Sequence, residues 1–317
     1  HPLRLPYKAG RGNNFTLKAK AQTLAEDLRK AGYDTVGYTI SYVMQHNVGT
    51  GQGFRVWKTP WPVNQWAESY AVSATKTTEA ALDTLRTKPA GEKKPFLLLL
   101  HYRCTHDPYI KHAPHDFGDD AMDLYDSALA YCDREVGRVL KALDKRADRE
   151  RTTVVVLSDH GELFGEHGQK NHGNTLFETD VRVLMLARVP GLDARRVDVP
   201  VTLLDLAPTF YALAGRPLPK RLEGWNLLPL MAPNADEAPW RARPLLLYAD
   251  VKRGSVRYRA VGALRDDFKL IRGLQTGNEV LFDVRTDPGE LDDLRIRHPT
   301  MAGELSDEVE SYLSAQE

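Results

Sequence analysis

Apolar positions recur along this chain in two alternating rhythms, one helical and one strand-like. In TLAEDLRKAGYDTVGYTI, Leu24 and Leu28 share a helical face, Gly32 suits the turn that ends a helix, and Thr35 to Ile40 is β-rich. PFLLLLHY, Pro95 to Tyr102, is a continuous apolar run of the kind that forms a strand buried on both faces. From Tyr125 to Leu143, Leu129, Cys132, Val136, Val139, Leu140 and Leu143 fall near helical spacing and predict a long amphipathic helix. TTVVVLS and VRVLMLARVPG read as two more buried strands, the second ended by Pro190-Gly191. VTLLDLAPTFYALAG reads as a helix that Gly215 can terminate. Strands alternating with long helices predict an α/β fold with a doubly wound, mostly parallel sheet.

The rhythm changes after about Pro219. PLLLYAD, RYRAVGAL, FKLIRG and EVLFDV are short β-rich runs separated by Gly and Asp turns, and Met301 to Leu313 is helical in pattern. The pattern predicts a larger α/β domain over 1–218 and a smaller subdomain over 219–317, with an antiparallel sheet and a terminal helix.

Composition narrows the function classes. Lys plus Arg and Asp plus Glu both number 43, so the formal net charge is zero. Nothing in that balance argues for a nucleic-acid partner or a disordered acidic tail. No apolar run approaches the ~20 residues of a membrane span. Cys104 and Cys132 are the only cysteines, too few for a disulfide framework or a four-cysteine zinc site. Cys104 reads as a buried bystander rather than a nucleophile.

The candidate chemistry lies where two strand patterns stop. In open α/β sheets, ligands bind beyond the carboxyl ends of the strands. VVVLS runs into Asp159-His160-Gly161-Glu162, followed by Glu166, His167 and His172 with glycines between. Asp159 supplies a hard oxygen and His160 an imidazole nitrogen, and Gly161 lets the backbone curl away, so the pair suits a divalent cation. An isolated Asp-His pair after a strand is more often a turn and cap; the histidines and acids that follow favour the metal reading here. His167 fits equally a supporting role or a loop cap. FLLLLHY runs into RCTHDPY with His106 at its tip; by itself, a loop histidine bonded to a carbonyl is an even alternative. Pro108 and Tyr109 read as loop packing.

Those residues resemble the sulfatases of the alkaline phosphatase superfamily. TLAEDLRKAGYDTVGY, PFLLLLHYRCTHDPY, YDSALAYCDREVGRVLKAL, YRAVGALRDDFKLI and EVLFDVRTDPGELDDL are similar to family segments in the family's order. The most specific match is VVVLSDHGELFGEHGQKNHGNTLFETDVRVLMLARVPG. The resemblance implies a metal-dependent hydrolase of sulfate esters, carried by small molecules or saccharides. Asp159 and His160 then match the second half of a divalent metal site. Calcium is the first expectation, with Mg²⁺, Mn²⁺ or Zn²⁺ as alternatives; His160 shifts the balance slightly from a pure oxygen site towards a borderline metal. His172 matches the group that touches the anionic oxygens, and His106 the group that faces the leaving-group oxygen.

The chain departs from the family pattern in three places. No Cys/Ser-x-Pro/Ala-x-Arg motif, the source of the family's formylglycine nucleophile, occurs in it. The paired aspartates that complete the metal site are also missing, and GYTISYVMQH stands where the family often carries a Lys/His pair. The expectation is an N-terminally truncated sulfatase, with formylglycine in the missing segment, and with the 317 residues alone inactive. The rivals are a phosphodiesterase or phosphonate monoester hydrolase of the same superfamily, and a non-catalytic protein that keeps the fold.

Overall fold

The computed structural model describes residues 7–9, 15–41, 44, 48–59, 66–88, 94–253 and 256–315. Ten of the 24 residues from Val43 to Trp66 lie outside them, as does His1-Pro2. The chain divides into two compact units, His1–Thr152 and Thr153–Glu317.

In the first unit, three parallel strands run in the order Val56–Lys58, Asp34–Thr39, Phe96–His101. The helix Leu24–Lys30 leads into the central strand. Its start is fixed by a capping box, in which the Thr23 hydroxyl accepts from the Glu26 N–H and the Glu26 carboxylate accepts from the Thr23 N–H. The helix Ala121–Asp144 begins with the same device, built from Asp120 and Asp123. Ala128, Tyr131, Val139 and Leu143 supply its buried face.

Two observations differ from the sequence reading. Phe96–His101 is half-buried along its length rather than fully buried. A 22-residue helix, Trp66–Thr87, was not anticipated. Its inward face is Ala74, Thr77, Thr78, Ala81 and Leu85, all buried at helical spacing but mostly small or hydroxyl-bearing.

In the second unit, Val154–Leu157 pairs with Met185–Arg188, and the pairing is antiparallel. Both were expected as strands, but in a parallel sheet; an apolar run carries no information about strand direction. Leu206–Leu213 is helical, and Gly215 follows with a positive φ of 62°. The C-terminal runs form a four-stranded antiparallel meander: Leu245–Arg253, Val256–Arg265, Phe268–Gly273 and Glu279–Asp283. The helix Pro299–Ser314 covers one face through Leu305 and Val309, against Val261, Ala263, Leu270 and Leu281. The opposite face packs Ala260, Ile271 and Phe282 against Leu176 and Phe177.

Candidate active site

The strand Val154–Leu157 ends two residues before Asp159, and the chain turns sharply through Gly161. A Cβ on Gly161 would sit 2.2 Å from the carbonyl oxygen of Thr179, so no other residue fits without moving that backbone. The Gly161 N–H donates to the Asp180 carbonyl at 2.8 Å. The Asp159-His160 turn is thus closed against the segment 179–180.

That turn sets the chemistry of both side chains. His160 Nδ1 lies 2.8 Å from the Gly161 carbonyl oxygen. A carbonyl only accepts, so Nδ1 carries the proton and Nε2 presents a lone pair. Nε2 is 3.7 Å from Asp159 Oδ1. Two ligands bonded to one cation at about 2.0–2.4 Å stand roughly 3–4 Å apart. The tautomer and the spacing therefore fit two positions of one coordination shell. Among the described residues no group of three or more His, Cys, Asp or Glu is placed to hold a metal.

His172 is brought beside this pair, its ring stacked on that of His160 with centroids 4.0 Å apart. Its Nδ1 lies 3.2 Å from both carboxylate oxygens of Glu162. The Glu162 side chain is 6% exposed. A carboxylate accepts, so Nδ1 of His172 donates, and the ring is held by a buried anion. Asp159, His160 and His172 therefore form one cluster in the second unit.

Two buried carboxylates that the sequence did not single out as site residues build this cluster. Glu162 holds His172. Asp180 holds the chain that follows it: Oδ1 accepts from the Gly173 N–H at 2.7 Å, and Oδ2 accepts from the Asn174 and Thr175 N–H groups, each at 2.8 Å. Asp180 thus fixes the residue after His172 with its side chain and the residue after His160 with its backbone. The available signal was weak: Asp180 is one of two acids in LFETDVRVLML, between Leu176-Phe177 and the strand Met185–Arg188. His167 packs flat on Phe177, with ring centroids 3.6 Å apart, and serves the loop.

His106 belongs to the first unit. Its Nδ1 donates to the Asp107 carbonyl oxygen at 2.6 Å, and its Nε2 accepts from Arg103 Nη2 at 3.3 Å. The ring is neutral in this arrangement, and proton donation from Nε2 requires Arg103 to release it. Cys104 and Cys132 are joined as a disulfide, so Cys104 is neither a bystander thiol nor a nucleophile. Tyr109 packs edge-on against Tyr125, as loop packing requires.

The sulfatase family model matches residues 6–216, about two thirds of the chain. This chain belongs to the sulfatase family. The model of the N-sulphoglucosamine sulphohydrolase C-terminal region matches residues 165–316. Among curated relatives, the uncharacterized sulfatase YidJ of Escherichia coli (strain K12) is 30% identical over 261 residues, which cover 78% of this chain and 47% of YidJ. The chain thus spans about half the length of that relative. Solved structures share the fold at lower identity. BT4656 in complex with its substrate D-glucosamine-2-N,6-O-disulfate superposes with a TM-score of 0.72 at 18% identity, over 94% of this chain and 83% of BT4656. The phosphonate monoester hydrolase SpPMH from Silicibacter pomeroyi also gives 0.72, at 16% identity, over 96% and 81%. The sulfatase fold is thus an α/β architecture with parallel strands and an antiparallel C-terminal sheet. No helix among the described residues is long and apolar enough to cross a membrane.

Proposed function

We propose that the whole protein is a metal-dependent hydrolase of sulfate esters carried by saccharides. The observation that carries this reading is the Asp159-His160 pair, with Nδ1 of His160 tied to a carbonyl and Nε2 left 3.7 Å from Asp159 Oδ1. When bound, a divalent cation draws negative charge from the sulfate and the nucleophile. Asp159 offers it an anionic oxygen, and His160 a lone pair fixed in direction. His172, braced by Glu162, is the anion-binding group: with a proton on Nε2 it donates to a non-bridging sulfate oxygen. His106 is the group for the leaving oxygen, once exchanged from Arg103. The saccharide substrate is supported by the sulfated glucosamine bound to BT4656. A phosphonate or phosphate ester is the competing substrate class, supported by the fold shared with SpPMH.

No Cys/Ser-x-Pro/Ala-x-Arg motif lies within these 317 residues. We expect the 317-residue chain alone to bind Ca²⁺ or Mn²⁺ weakly and to release no sulfate from an aryl sulfate. Turnover by that chain would overturn the nucleophile assignment. In the whole protein, His106→Ala should lower kcat/KM for an alkyl sulfate by roughly 10²–10⁴ and for a nitrophenyl sulfate far less, because a nitrophenolate hardly needs a proton. His172→Ala should cost both esters alike, since the non-bridging oxygens carry charge in each. Equal losses for His106→Ala with leaving-group-dependent losses for His172→Ala would reverse the two roles. Faster release of phosphonate than of sulfate from matched esters would favour the competing class.

A further inference from the structure

Lys269 lies in the third strand of the C-terminal meander and is fully buried, with a side-chain exposure of 0%. It shares a face of the sheet with Ile271, the face that meets Leu176 and Phe177. Its ammonium lies 2.8 Å from Glu178 Oε1 and 2.7 Å from Glu290 Oε1. The other oxygen of Glu290 accepts the Glu178 N–H. Lys269 and Glu290 therefore grip one residue from two sides: Glu178, at the start of the short helix Glu178–Val181. Asp180 lies in that helix. Its side chain holds residues 173–175 beside His172, and its carbonyl holds Gly161 beside His160.

A buried cation is costly unless it is paired, and a hydrophobic residue could have filled this position in a sheet core. What an apolar side chain cannot supply is a directional bond to Glu178. We propose that Lys269, from the C-terminal sheet, is a positioning residue for His160 and His172, acting through Glu178 and the Asp180 segment. The proposal rests on the reading of those histidines as cation and anion ligands. Lys269 touches neither substrate nor metal. Its effect is to fix which nitrogen of each ring carries the proton and where each ring points.

The test uses the 317-residue chain, with imidazole nitrogen NMR to read the tautomers of His160 and His172, Mn²⁺ binding to read their use, and chemical denaturation to read stability. Glu178→Gln separates positioning from stability. It removes the charged link to the Asp180 helix and leaves Lys269 in a one-to-one pair with Glu290, so the fold should survive. The expected result is unchanged or improved resistance to denaturant, with mixed tautomers at His160 and His172 and Mn²⁺ affinity lowered about tenfold, the size typical of losing an outer support of a metal ligand. Lys269→Met should mix the tautomers further wherever it folds. A folded Glu178→Gln variant whose histidine signals and Mn²⁺ affinity match the parent would overturn the proposal. Absence of Mn²⁺ binding in the parent itself would count against the metal reading instead, while the tautomer comparison would still decide the role of Lys269.

Discussion

Two three-charge clusters among the described residues, one in each unit, are mirror images in charge. In the first unit a single anion, Asp34, meets two cations. Arg55 grips it with Nε at 2.5 Å and Nη2 at 2.9 Å, and Lys88 bonds its second oxygen. The Asp34 side chain is 8% exposed, but Arg55 is half in water. In the second unit a single cation, Lys269, meets two anions, Glu178 and Glu290, and all three are shielded. The consequences for ionisation are opposite. The hydrogen bond from Arg55 outweighs burial and lowers the Asp34 carboxyl from 3.8 to about 2. Burial outweighs the Lys269 charge and raises the Glu290 carboxyl, with the Glu178 charge adding to the rise. A salt bridge therefore has no fixed sign. The surplus charge and the access to water decide whether a cluster favours its ionised state.

The sharpest way to break this comparison is to remove the central residue of the buried cluster. Lys269→Met leaves two carboxylates facing each other without a cation, and should cost about 3–5 kcal/mol in urea denaturation. A loss under about 1 kcal/mol would mean the cluster is as wet as that of Asp34.

Acid titration separates the two clusters by direction. Glu290 is raised above its ordinary 4.5, so the folded state binds its proton more tightly than the unfolded chain does. Its contribution to stability is present at low pH and is lost as pH rises through the raised value. Asp34 is lowered, so its contribution is present above 3.8 and is lost as pH falls towards about 2. Amide exchange in Phe268–Gly273, corrected for intrinsic rate, should therefore slow or hold as pH falls from 7 to 5. Protection in Asp34–Thr39 should hold over that range and fail only below about pH 4. Simultaneous loss in both strands near pH 5 would contradict the assignment.

The smallest effect belongs to the half-exposed partner. Arg55→Ala leaves Asp34 paired with Lys88 and should cost no more than about 1 kcal/mol, measured as a shift in urea midpoint, with the Asp34 carboxyl moving back up in an NMR titration.

The elements that could be read from the sequence were those whose burial uses large apolar side chains. Pro95 to Tyr102 announced the strand Phe96–His101, and the β-branched run before Asp159 announced Val154–Leu157. The helix Trp66–Thr87 escaped because alanine and threonine fill its inward face. Strand direction escaped at Met185–Arg188 because periodicity is the same read either way. At the candidate site, Asp159 and His160 stood out because a strand pattern stops abruptly just before them. Glu162 and Asp180 were not, because their partners are a histidine ten residues on and three backbone N–H groups, and only folding brings these together. Lys269 stood in plain view in FKLIRG. A lysine in a strand with apolar neighbours is ordinarily an outward-facing residue, and only burial on both sides of the sheet makes it a core cation.

The way Asp180 holds Gly173, Asn174 and Thr175 has a consequence for ligand recognition. Three successive N–H groups converging on one anion form the kind of concave nest that elsewhere captures phosphate or sulfate. Here the nest is already filled from within by the protein's own carboxylate. An external anion has no vacancy there, which leaves the anion-binding role proposed above to a side chain, that of His172. The loop's conformational entropy is surrendered when the chain folds rather than when a ligand arrives, so the segment beside His172 is shaped in advance.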